Sequence, residues 1–330
     1  GLDVAMFNNR LTFSLDYFDS RSKDLIMPVT ISSVYGTDCM YRNLGEVSNK
    51  GIEFGAQLAL IQNRDFKWYV GGTISTNKNE VKSLGGENSM ILSMSDGSAV
   101  ISEVGQPLYS FYGYQTDGVF ATDDAVVAAG KDGQALTNAI GVAFAAGDMR
   151  FVDQNGDGKI DKEDRVNLGN ALPDFYGTFY TNFQYKGLAV SAVFGYSKGN
   201  KMYNAVRRTM ESMSDFSNQL TSVTRRWMYE GQITDIPRAV YGDPMENSRF
   251  SDRWIEDASY LKLKELMVSY KFNLFAGTTV FVAAENLFTA TKYLGMDPET
   301  MYSYDSSMRG FDYGKIASPR TVKLGFKVQF

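Results

Sequence analysis

The last ten residues, Thr321 to Phe330, read TVKLGFKVQF. Val322, Leu324, Phe326, Val328 and Phe330 share one parity; Thr321, Lys323, Gly325, Lys327 and Gln329 share the other. Successive side chains of a strand point to opposite faces, so this is a strand with one wholly apolar face and one polar or small face.

Working back from the C-terminus, the same alternation returns. Val280, Val282 and Ala284 alternate with Phe281, Ala283 and Glu285. Leu188, Val190, Ala192, Phe194 and Tyr196 alternate with Ala189, Ser191, Val193, Gly195 and Ser197. Phe175, Phe179, Phe183 and Tyr185 lie opposite Tyr176, Thr178, Tyr180, Asn182 and Gln184. Phe66, Trp68, Val70 and Ile74 repeat the pattern, as do Ile52 to Leu60 and Leu11 to Tyr17. These strands run to roughly ten residues or more, the length that crosses a bilayer when tilted, whereas soluble strands centre on about 5–6. Phe66, Trp68, Tyr185 and Tyr196 collect near strand ends, as interfacial girdles require. One strand changes face: in SYLKLKELMVSYKF, Leu261 and Leu263 lie on one parity and Leu266, Val268, Tyr270 and Phe272 on the other. That change predicts a bulge near Lys264 and Glu265, with the first half of the strand standing above the bilayer.

Connections alternate in length. Asn8 to Arg10, Gln62 to Asp65, Lys186-Gly187 and Asn273 to Gly277 are short. Those spanning about Ser20 to Ser48, Asn79 to Pro173, Lys198 to Ala258 and Thr291 to Pro319 are long. Short turns on one side and long loops on the other are the habit of outer-membrane barrels, with the long loops extracellular. The count stays consistent if the Asn79–Pro173 region holds an even number of barrel strands, PLYSFYGYQTDGVF (107–120) being a candidate. Asn204 to Trp227 reads as a loop helix, and Ala121 to Ala146 as either a mobile or a helical insertion.

Composition narrows the function. The chain has 330 residues, a net charge of -5 and no long basic run, so there is no nucleic-acid footprint. It has no histidine, which removes any Ser-His-Asp or Cys-His catalytic site and the commonest general base. Acidic pairs such as Asp123-Asp124 and Glu256-Asp257 carry no spacing suited to glycoside hydrolysis, and the expectation is that the chain is not an enzyme. The lone Cys39 reads as an incidental loop residue. No apolar run is long enough for a transmembrane helix, which leaves a barrel open, and no signal-peptide pattern opens the chain.

One motif carries metal chemistry. In DQNGDGKIDKED (153–164), oxygens from Asp153, Asn155, Asp157, Asp161 and Asp164 stand at loop positions 1, 3, 5, 9 and 12, and Lys159 would offer its backbone carbonyl at position 7. Gly158 supplies the sharp turn at position 6 and Ile160 an apolar anchor. This is the array a hard cation such as Ca²⁺ takes; the plain alternative is a tight Asp/Asn/Gly turn. Asp at position 12 is shorter than the usual Glu and makes a bidentate bond harder. Among loop aromatics, Tyr109, Tyr112, Tyr114, Tyr302 and Tyr304 are candidates for stacking on a sugar or peptide, with loop packing as the alternative.

The segments NNRLTFSLDYFDSRSKDLI, NKGIEFG, YGYQTDGVF, GDMRFVDQNGDGKIDKEDR, SYLKLKELMVSY and AENLFTATKY, with terminal Phe330, resemble the SusC/RagA family of TonB-dependent outer-membrane transporters. The resemblance implies an all-β, transmembrane antiparallel barrel of about 22 strands with long extracellular loops, closed by an N-terminal plug. On it, residues 1–330 are the C-terminal part of that barrel, with the calcium-type loop 153–164 inside an extracellular loop. It further implies TonB on the periplasmic side, a SusD-like surface lipoprotein as lid, and glycans or oligopeptides as cargo. Phe330 resembles the signal read by the barrel-assembly machinery. The plug, the TonB-contacting segment and a signal peptide are absent here, and open strand edges in lipid are costly. An N-terminal plug and barrel portion is therefore expected beside this chain in the outer membrane of a Gram-negative bacterium. The alternative function is a ligand-binding or adhesion barrel without import.

Overall fold

A computed structural model describes residues 1–37, 39–272 and 277–328. The proposed short connection at Asn273 and the terminal Phe330 fall outside them, although Gly277 lies within. Among the described residues, ten strands form one antiparallel sheet. They are β1 (Leu2–Met6), β2 (Leu11–Thr30), β3 (Cys39–Gln62), β4 (Phe66–Ser75), β5 (Lys78–Leu84), β6 (Phe175–Tyr185), β7 (Leu188–Lys198), β8 (Tyr260–Lys271), β9 (Thr279–Thr291) and β10 (Thr321–Lys327). The order is β1-β2-β3-β4-β6-β7-β8-β9-β10, with β5 paired to the upper part of β3 beyond the end of β4.

The registers line up the alternating residues. Ile61, Trp68, Phe183, Val190, Val268, Val282 and Leu324 are successive cross-strand partners, an apolar row seven strands wide. Trp68, Val268, Val282 and Leu324 are exposed on it. Uncovered apolar surface of this extent has a partner, and on strands of 10 to 13 residues that partner is lipid. Even polar atoms on this face are satisfied: the Trp68 indole N–H donates to Thr181 Oγ1 at 2.9 Å. Without water, an unpaired N–H here would be costly. Near the tight turns Phe66 packs edge-on against Phe183 (4.9 Å), and Tyr270 against Phe272 (4.8 Å), forming part of an aromatic girdle.

The turns are as short as expected. Phe7, Asn8 and Asn9, in the four-residue turn between Met6 and Leu11, have φ of 54–62°, and Lys186 has φ 50°, the left-handed conformation the two-residue Lys186-Gly187 hairpin needs. The bulge falls where the face change placed it. The ladder from β7 skips Lys264, and Asn286 and Leu287 stand opposite it on β9. Leu263 and Leu266 thereby face the same way, and Lys262 is turned to the polar face.

Four expectations are corrected. Ser20–Ser48 is not a loop: β2 and β3 continue together to Thr30 and Cys39, which makes Cys39 a strand residue. Their polar pairs Lys50–Asp19 (2.8 Å) and Arg21–Glu46 (3.8 Å) hide the alternation. The 107–120 segment supplies no barrel strand. β4 pairs directly with β6, and Ser110–Tyr114 lies in a separate four-stranded sheet. Ala121–Ala146 is helical only at α1 (Asp123–Ala129), and it packs: Phe120, Val126, Leu136 and Phe144 share one buried cluster. Asn204–Trp227 forms α2 only over Ala205–Glu211, then a short 3-10 turn at Thr221–Arg225; Met213, with φ 51°, breaks the path.

The long connections fold together as a cap. Its main core joins Phe111, Tyr203, Phe250, Trp254 and Phe311, which come from three different loops.

Candidate functional site: polar wall, cap and wall–cap junction

The face opposite the apolar row is polar and internally bonded. Gln57, Gly71, Tyr180, Val193, Glu265, Glu285 and Thr321 succeed one another across it. Tyr180 Oη donates to Gln57 Oε1 at 2.9 Å, the Thr73 and Thr178 hydroxyls meet at 3.0 Å, and Lys323 pairs with Glu285. Gly71 is required: a Cβ there would stand 2.5 Å from Tyr180 Oη. Tyr180, Asn182, Gln184 and Glu285 thus lie on the polar face, as their parity predicts.

At the top of this face β8 meets the last connection. Lys262 Nζ lies 3.0 Å from Asp297 Oδ2 and 2.8 Å from Glu299 Oε2, and its side chain is 3% exposed. Lys264 also pairs with Glu299, and Tyr260 Oη donates to it at 2.7 Å. Burial acts to raise the Glu299 pKa, but hydrogen bonds from Lys262, Lys264 and Tyr260 hold it below the ordinary value. The parity change marks a bulge near Lys264 and Glu265 and no more; the partner of Lys264 lies 35 residues away and leaves no local signal.

In the cap a cavity of about 500 Å³ opens between Tyr112, Tyr114, Arg165, Arg208 and Arg249. The Arg249 guanidinium sits 4.9 Å from the Tyr114 ring and 4.5 Å from that of Phe151. Burial pulls its pKa down, opposed mainly by Glu246. Arg165 lies 5.2 Å over Tyr112. Of the five candidate aromatics, the structure brings Tyr112 and Tyr114 together here and separates the rest. Tyr109 packs half-buried against the main cap core, with burial and then Asp305 raising its pKa. Tyr302 packs on Tyr313 at 4.9 Å, and Tyr304 is 95% exposed.

The 153–164 loop folds on its own carboxylates. Asp153 accepts from the amides of Gly156, Asp157 and Gly158 at 2.7–3.3 Å. Gly156 and Gly158 have φ of 70° and 85°, which only glycine adopts readily. Asn155 accepts from Asp157, Asp157 from Lys159, and Asp161 from Glu163, at 2.8–2.9 Å. Ile160 is fully buried, as an anchor should be. Asp164 differs from a position-12 ligand: its two oxygens accept from Gln154 N and Asp161 N. Burial raises its pKa against those bonds, with Asp153 and Asp161 adding. Among the described residues no three acidic, His or Cys side chains stand ready to grip a metal together.

A sheet with a lipid-length apolar face, a bonded polar face and all long connections gathered on one side is the wall of an outer-membrane β-barrel. Comparison makes the assignment specific. The model of the TonB dependent receptor-like β-barrel matches residues 1–287, and the chain belongs to that family. TonB-dependent receptor P3 of Formosa agariphila is 31% identical over the whole chain, which covers 33% of it. TonB-dependent receptor SusC of Bacteroides thetaiotaomicron is 26% identical over the whole chain, which covers 31% of it. The chain thus spans about a third of the curated relatives it matches. The structure of the RagAB peptide transporter superposes with a TM-score of 0.78 at 24% identity, over 98% of this chain and 34% of that one. An open-open state of the RagAB peptide importer gives 0.78 at 23%, covering 98% and 33%.

Proposed function

We propose that this chain is the wall-and-cap portion of an outer-membrane importer of glycans or oligopeptides, driven through TonB in a Gram-negative bacterium. On this reading the polar face lines the solute path. An N-terminal plug and barrel portion of the same transporter completes the pore, and a SusD-like surface lipoprotein covers the cap. The observation that carries it is the two-faced sheet: an apolar row seven strands wide on one side, and on the other a bonded polar row rising to the cap. A lipid-embedded conduit needs both. No chemical step is assigned to the chain, which has no histidine to act as general base. Tyr112 and Tyr114 are the aromatics read as touching cargo; Tyr109, Tyr302 and Tyr304 do not share their cavity.

The 153–164 loop is read as a structural Ca²⁺ loop. Asp153, Asn155, Asp157, the Lys159 carbonyl and Asp161 would supply oxygens, and Asp164 would join only by releasing a backbone bond. The ion would offset the carboxylate charge gathered in the loop. Calcium titration of chelator-treated protein by calorimetry tests this: binding lost in Asp157→Ala supports it, and no heat of binding refutes it.

The import reading is tested by purification from outer membranes in mild detergent, with co-purifying proteins identified by mass spectrometry. A plug-bearing chain and a SusD-like lipoprotein are expected, together with TonB-dependent solute uptake. Ligand binding with growth unchanged after TonB removal would favour adhesion instead and overturn the importer.

A further inference from the structure

We propose that the recess between the barrel wall and the last connection is a subsite for a carboxylate of the transported solute, with Arg309 as its anion-binding group. The inference rests on the import reading. The recess holds about 440 Å³, room for one sugar or amino-acid unit, and is lined among others by Asn77, Tyr176, Tyr260, Lys264, Glu299 and Arg309.

Its charges do not cancel internally. Lys262 and Lys264 are balanced by Asp297 and Glu299, with which they pair. Arg309 is exposed and makes no ion pair or side-chain hydrogen bond among the described residues. One positive charge therefore remains, and it belongs to a planar guanidinium whose fork matches a carboxylate bidentately. The backbone beside it is held. Arg309 N donates to Ser306 O at 3.3 Å, and Gly310, at φ 77°, is packed so closely that a Cβ would meet Ala171 Cβ at 2.5 Å. The side chain thus projects from a fixed point.

A second observation is independent of charge. Asn77 Oδ1 is buried without a hydrogen-bond partner, while its amide group donates to Asn49 Oδ1 at 3.3 Å. A buried acceptor of this kind calls for a donor. The ligand therefore offers a carboxylate, and a hydroxyl or N–H beside it would satisfy Asn77 Oδ1 once that side chain turns into the recess. A uronic-acid sugar and the terminal residue of a peptide both meet that description. The exposed Tyr176 ring adds a flat surface for either to stack on.

The test uses the complete transporter as purified, with its accompanying chains, in calorimetry with two probe pairs. One pair is tetragalacturonate and its methyl ester; the other is a pentapeptide with a free C-terminal carboxylate and its amide. At least one acid is expected to bind about tenfold or more tightly than its neutral form, and the pair that discriminates names the source. Arg309→Gln is expected to abolish the discrimination, a loss of roughly tenfold to a hundredfold, while Arg309→Lys keeps part of it. Unchanged co-purification and heat-modified gel mobility would establish that the variants fold. The proposal is overturned if acid and neutral forms bind alike or not at all. It is also overturned if discrimination survives Arg309→Gln, as it would were the recess filled by the plug. TonB-dependent uptake, measured in parallel, separates the two ideas. Discrimination without uptake would sink the import reading and leave the subsite; uptake without Arg309-dependent discrimination would do the reverse.

Discussion

Lys262→Met tests how the last connection is fastened to the wall. The Lys262 ammonium is almost wholly buried between Asp297 and Glu299. Glu299 keeps Lys264 and Tyr260 after the change, but Asp297, 5% exposed, loses the one cation paired with it among the described residues. Breaking a buried pair by removing one partner costs about 3–5 kcal/mol, because the other charge stays buried. At about 1.4 kcal/mol per factor of ten, opening of the 292–319 connection should become roughly a hundredfold to a few thousandfold more frequent. Asp297 Oδ2 also accepts from Ser318 N at 3.2 Å, so that amide is a direct reporter. Hydrogen exchange of the detergent-solubilised transporter, read by mass spectrometry over 293–320, should show the acceleration there and not in β4 or β6. Adding Asp297→Asn removes the stranded charge while keeping an acceptor, and should recover most of the protection. Exchange within a fewfold of the parent in Lys262→Met would refute the fastening argument.

Three further outcomes follow from the same geometry. Gly71→Ala pushes a methyl group against Tyr180 Oη and the Ala56 carbonyl, at 2.5 and 2.9 Å; a loss of about 1–3 kcal/mol is expected, seen as a lower unfolding temperature on heat-modified gels. Val268→Arg, in the middle of the apolar row, should cost about 2–4 kcal/mol of stability in lipid vesicles if that row faces the bilayer core; a neutral result would place it elsewhere. Glu299 titrates lower in the folded protein than in the unfolded chain, so folding releases protons near its pKa. Its contribution is complete above about pH 4.5, its ordinary value, and fades as pH falls through the lower folded value. Protection of the 293–320 amides, corrected for intrinsic rates, should therefore weaken in acid, and the weakening should be smaller in Glu299→Gln.

The strands were legible because each buries nothing on one face: Phe179, Phe183, Val190 and Val268 repeat at period two whatever lies beyond them. The bulge at Lys264 was legible for the same reason, as a change of parity within an otherwise regular strand. The β2–β3 extension was not. Its lower part carries the ion pairs Arg21–Glu46 and Lys50–Asp19, and above them register shifts on either side of Leu25 break the alternation of Leu25, Ile26 and Met27, so no clean apolar period marks it. The 107–120 segment misled because Tyr109 and Phe111 on one parity and Tyr112 and Tyr114 on the other read as strand, yet Phe111 packs on Phe250 and Phe311 from other connections and Tyr114 on Phe151 further along its own. The cavity of Tyr112 and Tyr114 was half visible, since the aromatics stood out and the arginines that face them did not. The recess of Arg309 and Asn77 was invisible, since 232 positions of chain separate these two of its polar groups, a count given by their numbers 309 and 77.

The single skipped residue in β8 also bears on how relatives can exchange parts. Above Lys264 the even-numbered Lys262 points to the polar side; below it the even-numbered Leu266 and Val268 point to lipid. The strand is written in two reading frames joined at one position. Pairing β8 with a neighbour that admits no skip would force it into one frame, put Lys262 on the parity of Leu266 and present it to hydrocarbon, whereas deleting residue 264 removes the skipped residue and leaves Lys262 on the polar side. Chimeras that carry β8 with Asn286 and Leu287 of β9 keep both frames in phase, and a crossover point placed inside this strip does not.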